Sequence, residues 1–195
     1  MKTTIASILM RNAIDYVKRS KTANFETDLQ QEVGCSIGAH LMLALTIEAI
    51  GNEIGQTNVT DWDKFEKTDT VAKWHQISGL GGHLPFELGK EPLQTVKRLM
   101  SIRNLIAHPK VEDLGDGVII RSSGGDIKRK VSKNHILQGG DKILLGFEKL
   151  IDRYDSSKSI EIAKKSIQAI KKLRAHLAIT GFKWLEGFEK ELGDL

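Results

Sequence analysis

The sequence predicts an all-α domain of about five to six helices, with a small β-hairpin or loop insertion near residues 111–140. Apolar residues recur every three to four positions in several long segments, which is the spacing of an amphipathic helix. One stretch instead places short β-branched runs around a Ser/Gly-rich turn, which is typical of a hairpin. The 195 residues, 40% of them hydrophobic, suffice for one buried core and predict a single domain over 1–195.

The N-terminal half holds three predicted helices. Residues 3–20 form the first, with Ile5, Leu9, Ala13 and Val17 near one face. Residues 33–54 are apolar nearly all round and predict a central, buried helix. Asp69 is a candidate N-cap for a third helix that ends near Ser78.

The C-terminal half begins with a helix that Glu91-Pro92 opens, with proline in its first turn, and that Pro109 ends near His108. The insertion follows, and Gly139-Gly140 ends it. Within the insertion, hairpin strands are predicted at Val118–Arg121 and Ile127–Val131. After it, helices are predicted at 141–154, 156–179 and 182–192.

Composition narrows the class of protein. The single Cys35 cannot form an internal disulfide, and no Cys/His spacing resembles a zinc site. No run of about 18 apolar residues is present, so no membrane span is expected, and the short apolar run 5–10 does not resemble a secretory signal. We therefore expect a cytoplasmic protein with no membrane partner, no metal and no cofactor.

Positive charge is concentrated in the C-terminal half of the chain. The net charge is +4, but residues 121–174 carry fourteen Lys/Arg against six Asp/Glu. Such a segment is either a solvated helix face or a surface that attracts phosphate. Charge alone leaves both interpretations open.

Two charged residues stand among apolar neighbours. Glu48 is the one formally charged residue between Val33 and Asn52, and a helical wheel places Arg103 in the middle of the apolar arc of its own helix. A lone buried charge is costly, so we predict that Glu48 contacts Arg103, directly or through water. The alternative is that both lie at helix edges and extend to solvent.

The helix that carries Arg103 ends in the sequence Ser101-Ile-Arg-Asn-Leu-Ile-Ala-His108-Pro109. This Arg-Asn-x-x-x-His pattern at the end of a helix resembles the Arg-x4–6-His signature of the HEPN superfamily (higher eukaryotes and prokaryotes nucleotide-binding). The resemblance covers about residues 1–110 and the helix after 140. It implies an up-down bundle in which the motif lies on a late helix. Many HEPN toxins have tyrosine two residues after the histidine, where this chain has Lys110, which argues against control by modification of that tyrosine.

The resemblance implies a metal-independent endoribonuclease that acts as a homodimer. We expect exposed apolar residues beside Arg103, such as Leu99 and Ile106, to supply the interface. Arg103 and His108 would be catalytic together with Asn104, and Glu48 would support them. Histidine suits proton transfer to and from the 2′-hydroxyl and the 5′-oxygen, and arginine suits the phosphate. Such a protein can be a toxin or an anti-phage effector, with an antitoxin or regulatory protein as a partner.

Other functions remain open at this stage. A HEPN dimer can bind nucleic acid, nucleotide or a protein partner without catalysis, or serve as a structural partner, and His108 can simply cap its helix. His40 is a candidate for a core network near Glu48. The other histidines, at 75, 83, 135 and 176, are predicted to be exposed and far apart. The residues predicted to contact RNA outside the catalytic set are Lys110, Arg121, Lys128, Arg129 and Lys130.

Overall fold

The computed structural model describes residues 4–23, 29–107, 117–122, 125–130 and 156–195. Within them the chain is an all-α bundle with one small β-hairpin, as the sequence predicts. The helices are α1 Ile5–Thr22, α2 Leu29–Asn58, α3 Trp62–Phe65, α4 Thr70–Ser78, α5 Leu93–Ala107, α6 Ser156–His176 and α7 Trp184–Gly193, with a 3-10 turn at Leu80–Gly82 and strands β1 Gly117–Ser122 and β2 Gly125–Lys130.

Helix α1 begins with a capping box, in which Thr4 accepts from the Ser7 backbone and the Ser7 side chain accepts from the Thr4 backbone. The predicted apolar face is only half right, because Ala13 and Val17 are fully buried but Ile5 is 69% exposed. A strict spacing of four residues drifts by about 40° per turn on a helix with 3.6 residues per turn, so Ile5 lies roughly 120° from Val17. The stripe that faces the core instead alternates steps of three and four residues. Its members are Ala6, Met10, Ala13, Ile14 and Val17.

Helix α2 is the central element, as predicted, and packs against α1, α4, α5 and α6. The segment Gln31–Asn58 of this helix is also long and apolar enough to cross a membrane. Half of its apolar 18-residue stretch is buried inside the protein. One such helix is weak evidence for a membrane span, because a buried core helix passes the same test. The expectation of no membrane partner therefore stays a prediction. Interspersed small residues break up any continuous apolar run while keeping the mean hydropathy high. The contacts on several sides are those of a core helix in a bundle.

Helices α3 and α4 fold back onto the C-terminal half of α2. The Trp62 ring lies directly over Gly55, where an added Cβ would meet it at 2.0 Å. Asp69 caps α4 as predicted, since its Oδ1 accepts from the Ala72 backbone at 3.0 Å. Trp74 is fully buried and its Nε1 donates to the Ile47 carbonyl at 3.0 Å. These contacts fix α4 against α2.

Helix α5 starts at Leu93, directly after Pro92, whose carbonyl accepts the Val96 N–H. Glu91 adds a cap that the sequence analysis missed, because its carboxylate accepts from both the backbone and the hydroxyl of Thr95. The inward face of the helix, including Val96, is buried against α2, α4 and α6. The opposite face reaches solvent and carries the candidate site.

Helices α6 and α7 close the bundle at its C-terminal end. The Glu32 carboxylate accepts from the Ser156 backbone at 3.2 Å and so caps α6 from α2. Helix α7 is held to α1 because Arg11 and Lys18 both contact Glu191, at 2.8 and 2.7 Å. The C-terminus of the described chain is thereby tied to its first helix.

The insertion contains β1 and β2, which pair antiparallel where the sequence predicts a hairpin or extended loop. Arg121 stands opposite Asp126, and Ile119 stands opposite Lys128. The helix predicted at 141–154 lies outside the described residues, as do His108, Pro109 and Lys110.

Candidate functional site

Of the three predicted catalytic residues and the supporting Glu48, four residues in all, the structure brings three together on one face. Arg103 lies on α5 and Glu48 on α2, and Arg103 Nη2 is 3.6 Å from Glu48 Oε2. Arg103 Nη1 also donates to Asn104 Oδ1 at 3.2 Å. The predicted contact between Glu48 and Arg103 is therefore confirmed. His108, the fourth member, follows the last described residue of α5.

The charges are less buried than the helical wheel predicts. The side chains of Arg103 and Glu48 are 39% and 28% exposed. Both lie at the open edge of the seam between α5 and α2, so each is paired and also reaches water. A deeply buried guanidinium would be inaccessible to a ligand, whereas this one keeps N–H donors free to face solvent.

Asn104 has a direct role in this geometry. Its side chain is exposed, and its amide oxygen accepts from the guanidinium one residue earlier. Arg103 is therefore held by a carboxylate from α2 and by an amide from its own helix. Two partners restrict the rotamers of a long side chain, which prepares the guanidinium to meet an oxyanion at low entropic cost.

The apolar surroundings of Arg103 differ in part from the predicted ones. Leu99, predicted as an exposed interface residue, is fully buried in the core because it faces the inside of the bundle. Ile106, the other predicted interface residue, is half-buried. Ile102 and Leu105 are also half-buried on α5, as is Leu45 on α2. The surface beside Arg103 is consequently mixed, with partly covered apolar side chains around one ion pair.

The predicted nucleic-acid contacts are distributed over the insertion. Arg121 lies on β1 opposite Asp126, while Lys128, Arg129 and Lys130 lie together on β2. Lys110 is outside the described residues.

At least three of the six Lys and Arg side chains on α6 form ion pairs. Lys171 pairs with Glu189 at 2.7 Å, and Arg174 pairs with Glu186 at 3.1 Å, both across to α7. Lys165 pairs with Glu161 on its own helix. The Lys165 ammonium, first through its hydrogen bond, holds the pKa of Glu161 below its ordinary value. For α6, the ion-paired and solvated interpretation of the charge run is the better one.

The histidines are arranged differently from the prediction. His40 is buried, and its Nδ1 lies 2.8 Å from the Ser36 carbonyl one turn earlier. His75, His83 and His176 are not dispersed but gather where α4 and α6 end. Residues 83 and 176 are far apart in sequence, and no local pattern indicates that they meet.

A separate open groove of about 620 Å³ lies beside α4, with Val71, His75 and Leu88 among its lining residues. Neither Arg103 nor Glu48 lines it. Its lining is mostly apolar and includes the carboxylate of Asp69 but no lysine or arginine, so it does not suit a phosphate. The partly exposed ion pair of Arg103 and Glu48 is the better candidate site, because its guanidinium can bind an oxyanion.

Within the described residues, no group of three or more His, Cys, Asp or Glu side chains is arranged to hold a metal ion. No protein-family model, curated protein or solved structure matches this chain.

Proposed function

We propose that this protein is a metal-independent endoribonuclease of the HEPN type, in which Arg103, Asn104 and His108 form a composite site in a homodimer. The observation that carries the proposal is the half-exposed guanidinium of Arg103, held at 3.6 Å by Glu48 and at 3.2 Å by Asn104. An arginine that is fixed by two partners and still faces water suits the recognition of a phosphodiester.

The chemistry requires one cation and a proton donor and acceptor. The RNA 2′-hydroxyl attacks the adjacent phosphorus after losing its proton to a base, and the 5′-oxygen leaves with a proton from an acid. Arg103 would stabilise the added negative charge on the phosphate oxygens, and an imidazole at His108 would transfer the protons. The products would be a 2′,3′-cyclic phosphate and a 5′-hydroxyl. DNA would not be cut because it lacks the attacking hydroxyl.

The spacing in the motif supports a dimer. Two residues five positions apart on an ideal helix point about 140° away from each other. Arg103 and His108 of one chain therefore converge poorly, whereas a two-fold axis beside α5 would bring one residue from each chain into a shared cleft. The half-buried Ile102 and Ile106, on either side of Arg103 in sequence, provide apolar surface for such an interface.

The direct test is cleavage of a mixed RNA substrate in the presence of EDTA. Arg103→Ala and His108→Ala should each lower the rate by at least about a hundredfold, which is the scale of losing one stabilising or proton-transferring group. Arg98→Ala is the matched control, because Arg98 lies on the same helix and forms a comparable pair with Glu161 at 3.7 Å. It should cleave at the wild-type rate.

Subunit mixing tests the composite site. Arg103→Ala and His108→Ala chains, each inactive alone, should regain part of the wild-type activity when they are co-expressed as a mixed dimer. If the wild-type protein binds RNA in a salt-sensitive manner but produces no cyclic phosphate, the nuclease assignment fails and the non-catalytic binding function takes its place.

A further inference from the structure

Two histidines from distant parts of the chain meet beside the end of α4. His83 follows the 3-10 turn, and His176 is the last residue of α6. Their ring centroids are 4.9 Å apart with the planes tilted by 48°. Gly81 and Gly82 have φ of 68° and 81°, in the left-handed region that favours glycine. This turn brings His83 to the end of α6.

The surrounding contacts fix the orientation of His176. Its ring packs on Phe86, with centroids 4.6 Å apart, and its Nε2 is 2.9 Å from the Ser78 carbonyl oxygen. A carbonyl can only accept, so the proton of the neutral ring is on Nε2 and the lone pair is on Nδ1. Ser78 is itself fixed, because its hydroxyl donates to the His75 carbonyl and accepts from the Phe86 backbone.

The carbonyl partner of His176 is of the kind that metal-bound imidazoles commonly have. A ligating histidine commonly donates its second ring N–H to a backbone carbonyl, which sets the tautomer and aims the other nitrogen at the metal. A metal–nitrogen distance of about 2.0 Å places each ring centroid about 3.2 Å from the ion, and two such rings at a tetrahedral angle are then about 5 Å apart. The separation of His83 and His176 agrees with that value.

We propose that His83 and His176 together bind one divalent transition-metal ion of the zinc class. Imidazole nitrogens favour Zn²⁺, Cu²⁺ and Ni²⁺ over the hard ions Mg²⁺ and Ca²⁺. Since the described residues offer no third side chain at this point, water completes the coordination, and the exposure of His83 provides the access that the ion requires.

A bound ion would connect the end of α6 to the turn after α4. These elements already meet through the His176–Ser78 hydrogen bond, and the metal would add a second connection on the solvent side. A ligand that binds the folded chain and not the unfolded one adds a free energy of stabilisation that grows with the logarithm of its concentration, and the melting temperature rises with it. The site would therefore stabilise this corner of the bundle, and cleavage of RNA would not depend on it.

The experiment is a titration of the metal-free full-length protein with Zn²⁺ by calorimetry, with the melting temperature measured in parallel. We expect one ion per chain and a rise in melting temperature. His83→Asn and His176→Phe should each weaken binding at least about tenfold, because even changes behind a metal ligand do so. His83 is exposed, so its variant tests the site without disturbing the core.

His75→Asn is the matched control. His75 belongs to the same cluster, with its Nδ1 at 2.8 Å from the Phe86 carbonyl, but its ring does not pair with His83. It should bind Zn²⁺ as the wild type does. In nitrogen-15 spectra of the wild type, Zn²⁺ should shift Nδ1 of His176 while Nε2 keeps its proton. Absence of binding, binding unchanged in both variants, or an equal loss in His75→Asn would each overturn the proposal.

Discussion

Arg103 on α5 and Glu48 on α2 form an ion pair of 3.6 Å at the solvent edge of the seam between the two helices. Because both side chains are partly exposed, the pair contributes little to stability. What the pair does is hold the side chain of Arg103 in position. Glu48 restrains the guanidinium from one side and Asn104 from the other, so the orientation of Arg103 depends on how α2 and α5 pack.

Glu48→Gln should separate positioning from stability. The free energy of unfolding should change by less than about 1 kcal/mol, because exposed ion pairs are weak. If Arg103 acts on a phosphodiester, cleavage should slow roughly tenfold, since a displaced catalytic group loses much of its effect. Unfolding in urea and initial cleavage rates measure the two quantities. Glu161→Gln, which removes the partner of Arg98, should leave cleavage unchanged. Wild-type cleavage by Glu48→Gln would show that Glu48 does not position Arg103.

Gly55→Ala should destabilise the protein by roughly 1–3 kcal/mol, as overpacking does. An added Cβ would lie 2.0 Å from the Trp62 ring, so the ring must move. Gly34→Ala is the matched control on the same helix. A Cβ at Gly34 meets nothing within 4 Å, and alanine in place of a helical glycine should stabilise by about 0.5–1 kcal/mol. The melting temperature should therefore fall for Gly55→Ala and rise for Gly34→Ala. Equal shifts would contradict the close packing of Trp62.

Glu191 should contribute stability that is lost in acid. The hydrogen bond from Lys18, with a smaller one from Arg11, holds the pKa of Glu191 below its ordinary value of 4.5. A carboxylate whose pKa falls on folding stabilises the folded state above that ordinary value, and the stabilisation is lost as the pH falls through the lowered one. Glu191→Gln should cost about 1 kcal/mol at pH 7.

The difference between wild type and Glu191→Gln should shrink towards zero below about pH 4.5, as measured by urea unfolding across the acid range. Glu66→Gln is the control, because Glu66 is exposed and has no ion pair in the described part of the chain. Its difference from wild type should stay near zero throughout. A Glu191 effect that does not vary with pH would refute the electrostatic explanation.

Asp69→Ala should lower the free energy of unfolding by about 1 kcal/mol, the usual cost of an N-cap. Its carboxylate accepts from the Ala72 backbone at 3.0 Å, and water satisfies that N–H less well. Asp63→Ala is the control, because it removes an exposed carboxylate of α3 that has no hydrogen bond in the described part of the chain. It should leave the free energy of unfolding almost unchanged. If both substitutions cost the same, the contribution of Asp69 is general electrostatics and not capping.

Local patterns in the sequence determined most of the secondary structure and one long-range contact. Apolar periodicity located the helices, and Asp69 marked the start of α4, because both signals depend on neighbours within a few residues. The wheel also predicted the Glu48–Arg103 pair, since two charges on the apolar faces of helices require partners. The wheel could not predict how deeply the side chains of Glu48 and Arg103 are buried. That burial depends on where the seam between α2 and α5 opens to solvent.

The tertiary structure alone decided which surfaces meet. Leu99 is buried although it was predicted at an interface, and Ile5 is exposed although it was predicted to be buried. The meeting of His83 with His176 follows from how α6 packs across the bundle and where the turn after α4 leaves it. Helical periodicity fixes the face of each helix but not the neighbour that covers it, because packing depends on contacts between residues far apart in the chain.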